Sequence, residues 1–72
     1  MSLSSDEPRW VEIDYTNWRG ERLLRKILPM RFDFISTEWH PSEQWICWAQ
    51  DRKDGAVKAF AIAGVHSWRA AQ

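Results

Sequence analysis

The residues best suited to chemistry crowd into TEWHPSEQW, residues 37 to 45, where His40 and Pro41 stand between Trp39 and Trp45 with Glu38 and Glu43 alongside. An imidazole near two carboxylates invites a metal, because zinc takes ligands of His, Cys or carboxylate type. His66 and Cys47 lie elsewhere in the chain, however, and no CxxC or HExxH spacing is present. No metal ligand set is expected. Catalysis fails on similar grounds. His40 could act as a base toward Ser36, Ser42 or Cys47, but no nucleophile elbow or Gly-rich phosphate loop accompanies it, so no catalytic residue and no cofactor are expected. Two readings remain. Trp39 and Trp45 pack onto the body of the protein while Pro41 fixes the loop and His40 satisfies a backbone group. Alternatively, the two rings wall a shallow pocket with His40 and Gln44 at its mouth.

A second set of side chains suits anions. Arg19, Arg22, Arg25, Lys26 and Arg31 follow one another closely beside Trp18, a mixture that can grip phosphates and stack bases. A solvated face paired with Glu21 and Asp33 is the competing reading, because ten Lys plus Arg balance ten Asp plus Glu. Trp10 and Trp48 form a third set. Each shares its strand face with residues opposite the expected core, and a half-exposed Trp beside an aliphatic marks an interface.

These side chains need elements to hold them. From Trp10 to Thr16, Val11, Ile13 and Tyr15 alternate with Glu12, Asp14 and Thr16, which predicts a half-buried strand. Asn17 and Gly20 supply turn chemistry. ERLLRKILP reads as a second strand ending at Pro29, with Arg22 and Lys26 on one face and Arg25 on the other; a short helix is the alternative for this run. MRFDFIS, residues 30 to 36, alternates again. Trp45 to Gln50 predict a fourth strand, DRKDG a turn, and Ala56 to Ile62 a fifth, after which AGVHSWRAAQ reads as a turn and a brief helical tail. Short strands joined by tight turns predict an all-β, strongly bent antiparallel five-stranded sheet or small barrel with a short C-terminal turn or helix.

Length and composition bound the rest. A chain of 72 residues holds one domain, expected over residues 9–69 between a disordered tail at 1–8 and a short tail at 70–72. Six Trp let a few large rings build a dense core. The balanced charge gives no overall field toward nucleic acid or an anionic membrane. Cys47 is the sole cysteine and sits among apolar residues, which suits a core position and a reduced compartment. MSLSSDEP lacks the pattern of a signal peptide and no run approaches a membrane span, so a cytoplasmic protein with no membrane partner is expected.

Tyr15, Gly20, the run Arg25 to Pro29, and WICWAQDRKDGAVKAFAIAGV together resemble the WYL domain over about Trp10 to Trp68. STEWHPSEQW is similar to the signature of small stand-alone WYL-like bacterial proteins. The resemblance implies a small β-barrel of the SH3 or Sm kind and a regulatory role that binds a ligand, often nucleotide or nucleic acid. Trp45 keeps the first letter of the name motif, whereas Ile46 and Cys47 replace Tyr and Leu. Lys58 stands where the family carries a strand Arg, Phe60 and Ile62 match, and Gly64 replaces a second basic residue. The expectation is therefore a non-catalytic module that binds nucleotide or single-stranded nucleic acid through Tyr15, Arg25, Trp39, His40, Trp45 and Lys58. The competing expectation is an interaction module, homo-oligomeric or docked on a larger regulatory partner, that uses Trp10 and Trp48.

Overall fold

A computed structural model describes residues 9–38 and 41–71. Its elements are β1 (Val11–Thr16), β2 (Arg22–Ile35), β3 (Gln44–Asp51), β4 (Val57–Ala61), a 3-10 turn (Ile62–Gly64) and β5 (Val65–Ala70). The five strands form one antiparallel sheet in the order β4-β3-β2-β1-β5, with β4 and β5 at its edges.

The alternation expected in β1 is realised, for Ile13 and Tyr15 are buried and their neighbours are not. Asn17 then reverses the chain. Its Oδ1 accepts the backbone N–H of both Arg19 and Glu21 at 2.9 Å, and Gly20 takes the left-handed conformation at φ 84° that this tight turn requires.

Two expectations are corrected at this level. The runs on either side of Pro29 are one strand of 14 residues. Proline breaks a strand interior because it has no N–H to give the ladder, but here the register shifts between Pro29 and Arg31, and a bulge tolerates it. The C-terminal segment is likewise no helical tail. Val65–Ala70 pairs with β1 as β5, so Ala70, placed in a tail by the sequence, belongs to the sheet.

Because of the bulge, the strand changes parity without changing face. Leu23, Arg25 and Ile27 lie opposite Tyr15, Ile13 and Val11, while beyond the bulge Phe32 and Phe34 lie opposite Cys47 and Trp45. All point to the side that carries the core of Ile13, Tyr15, Ile27, Cys47, Ala49 and Phe60. Fully burying an isoleucine such as Ile13 or Ile27 contributes about 1.5–3 kcal/mol. Across this face Tyr15 Oη accepts the Ala61 N–H at 3.0 Å, tying the end of β4 to β1. The Tyr15 ring meets Phe60 edge-on at 5.1 Å.

Candidate functional site

At one end of the core face, three titratable side chains point inward. Ile27 pairs with Asp51, Ile13 with Arg25 and Ala49 with Lys58, so strand register alone places Arg25, Asp51 and Lys58 on the same side. Asp51 is almost fully buried. Its Oδ2 takes Arg25 Nη1 at 3.4 Å and Lys58 Nζ at 3.2 Å, and its Oδ1 accepts the Lys53 N–H at 2.9 Å. Lys58 also reaches Asp54 Oδ2 at 3.0 Å. A buried carboxylate persists only when paired and hydrogen-bonded, and here both conditions are met. Asp54, and behind it Asp51, hold the Lys58 ammonium above its usual range.

Above this cluster opens a cleft of about 440 Å³. Tyr15, Trp18, Leu23 and Phe60 give it apolar walls, and Arg25, Asp51 and Lys58 give it a charged floor. Trp18, carried on the β1–β2 turn, is more than half exposed, with the Arg19 guanidinium 5.1 Å from its ring centre. Charge at the floor is compensated but not exhausted. Lys58 spends two of its donors on Asp51 and Asp54 and keeps one. Among the described residues Arg25 is held through Nη1 alone, which leaves most of its fork of N–H groups to bond a ligand.

The residues singled out in the sequence divide into groups. Tyr15, Arg25, Lys58 and Trp48 all line the cleft. Trp45 does not join them: it lies on the same face of β3 as Asp51 but six residues away, about 20 Å along the strand, where it packs edge-on against Phe34 at 5.5 Å. Trp39 and His40 lie outside the described residues. Trp10 and Trp48, of which at least one was expected to be partly exposed, are both half-buried, and each carries a guanidinium on its face. Arg52 lies 5.5 Å from the Trp10 ring centre and Arg31 5.6 Å from that of Trp48. Trp48 Nε1 also donates to Asp33 Oδ2 at 2.9 Å.

Asp51 went unrecognised in the sequence because it opens DRKDG and reads as a solvated turn acid. The turn does form, with Gly55 at φ 74° and its N–H on the Asp51 carbonyl at 2.8 Å. The overlooked signal is parity, since Asp51 follows Cys47 and Ala49 at steps of two and so must share their inward face.

Cys47 sits in the core, where burial pushes its thiol up to about 11, the protonated and unreactive form at neutral pH. Among the described residues no group of three His, Cys, Asp or Glu side chains could hold a metal ion, and no helix is long and apolar enough to cross a membrane. Comparison with known protein families, with curated proteins and with solved structures gives no match.

Proposed function

We propose that this chain is a non-catalytic, regulatory binding module whose cleft between the β1–β2 turn and β4 takes a nucleotide or a short single-stranded nucleic acid. The observation that carries the reading is the meeting of an exposed ring, Trp18, with residual N–H donors on Arg25 and Lys58 around one cleft. A flat base stacks on such a ring, and a phosphate takes the donors that Asp51 and Asp54 leave over. The carboxylates limit affinity for bare phosphate, so recognition needs the base and the anion together.

The strand order, the 3-10 turn that joins the edge strands β4 and β5, and the Tyr15 link from β1 to the end of β4 support reading the bent sheet as an SH3- or Sm-like barrel. The WYL resemblance is consistent with that architecture. Its departure at Gly64 has a steric reason, because a Cβ there would collide with the Thr16 carbonyl oxygen and come within 3.0 Å of the Tyr15 ring. A basic side chain has no room at that position, which leaves Arg25 and Lys58 to supply the charge.

Trp fluorescence titrated with mononucleotides and short DNA or RNA single strands, at low and moderate salt, tests the proposal. We expect a saturable, salt-sensitive change that weakens at least about tenfold in Trp18→Ala and several-fold in Lys58→Gln. No saturable change at low salt overturns it.

A further inference from the structure

The opposite end of the core face is built differently. Phe32, Phe34, Trp45 and Trp68 are 42% to 55% exposed although they point to the core side. They are contiguous, with the Phe32 and Trp68 ring centres 6.2 Å apart and Phe34 against Trp45. Half of four large rings amounts to about 400 Å² of apolar surface, within the range of the largest patch on an ordinary monomer and enough for the apolar centre of an interface of about 800 Å² per partner.

Beside this patch runs a strand edge that has no partner among the described residues. β1 pairs with β2 only as far as Ile27, and among the described residues no strand pairs with the same edge of β2 from Arg31 to Ile35. The bulge and Pro29 blunt the edge before Arg31 but not after it. The side chains there alternate in a self-complementary way. Arg31 and Asp33 share the outer face, and Phe32 between them carries the ring face. An antiparallel pair with its twofold axis at Phe32 sets Arg31 of each copy opposite Asp33 of the other, while the two Phe32 rings meet on the far side. Asp33 can accept this second guanidinium. Among the described residues, both hydrogen bonds it receives, from Arg31 Nε and Trp48 Nε1, fall on Oδ2 and leave Oδ1. Arg31 is 69% exposed, and a chain of zero net charge brings no overall repulsion between copies.

We propose that two copies of this chain form a twofold dimer through the β2 edge from Arg31 to Ile35 and the adjoining rings of Phe32, Phe34, Trp45 and Trp68. This surface is distinct from the cleft and does not depend on ligand binding there. A symmetric partner is favoured over a foreign strand because the Arg31–Asp33 alternation is its own complement under a twofold.

Sedimentation equilibrium on the full chain is the test, with near-UV circular dichroism as the check on folding. We expect a concentration-dependent dimer. Arg31→Asp and Asp33→Arg should each weaken it at least about 100-fold through like charges across the axis, while their equimolar mixture restores association. Should Asp33→Arg lose its near-UV signal through the missing Trp48 bond, Phe32→Asp mixed with Phe32→Lys asks the same question at the axis itself. A wild-type chain that stays monomeric up to about 1 mM overturns the proposal. So does a dimer that the charge reversals leave intact, or folded variants whose mixture fails to associate.

Discussion

The two ends of the core face share β2 and β3 and have opposite solutions to the same problem. Around Asp51, three charges are drawn into the interior and satisfy one another. Around Phe32, four rings that could fill an interior stand half in water. A buried polar cluster is stable only when complete, whereas an apolar cluster tolerates being unfinished, because each ring loses only part of its burial. The first end is thus sensitive to single-atom changes, and the second is open to something being added.

The largest effect expected from this contrast is at Asp51. Asp51→Ala leaves Arg25 and Lys58 without their shared acceptor and should lower stability by about 3 kcal/mol, the low end for a broken buried pair because both cations still reach water. Urea denaturation measures it, and a loss under about 1 kcal/mol would mean that the cluster is not a structural keystone. Next comes Gly64→Ala, where the added methyl must displace the Thr16 backbone or the Tyr15 ring, at about 1–3 kcal/mol. A thermal melt unchanged from wild type would show that the close approach relaxes freely. Phe34→Leu, at the open end, should stay within about 1 kcal/mol since half the ring already faces water. If it matches Asp51→Ala in the same urea series, the two ends do not differ as described.

The smallest effect is with pH. Arg31 lowers the Asp33 carboxyl below its ordinary value and Arg22 does the same for Asp14, while the Ala56 N–H and then Lys58 lower Asp54. A depressed folded value means that the unfolded chain takes up protons first as pH falls. The stabilisation is therefore complete above the ordinary carboxylate value of 3.8 and is lost progressively below it. Melts should be flat from about pH 7 to 5 and fall below about 4, with salt reducing the slope because these groups are exposed. Stability rising on acidification would contradict the pairing.

Much of this contrast was legible in the sequence at one end and little at the other. Alternation in VEIDYT located Ile13 and Tyr15, and the resemblance to the WYL domain singled out Arg25 and Lys58, which line the cleft. The bulge hid the rest. A period-two count carried through Pro29 cannot place Arg25 and Phe32 on one face, yet that shared face is what divides the cluster from the rings. β5 was hidden for another reason: only Val65 is partly buried in VHSWRA, so the segment has no apolar alternation to announce a strand. Its strand character comes from pairing with β1, a tertiary effect invisible to local pattern.

The Tyr15–Ala61 hydrogen bond joins residues 46 apart in the chain, and β5 pairs Ala70 with Val11 over a still longer loop. The β1–β2, β2–β3 and β3–β4 hairpins close short loops, while these links must wait until nearly the whole chain is in place, because loop-closure entropy rises with length. Loop-closure entropy therefore predicts that β5 docks late in folding and leaves early in unfolding. On that reading the unfolding rate is expected to respond more to changes in the C-terminal strand than to changes at the best-packed residues.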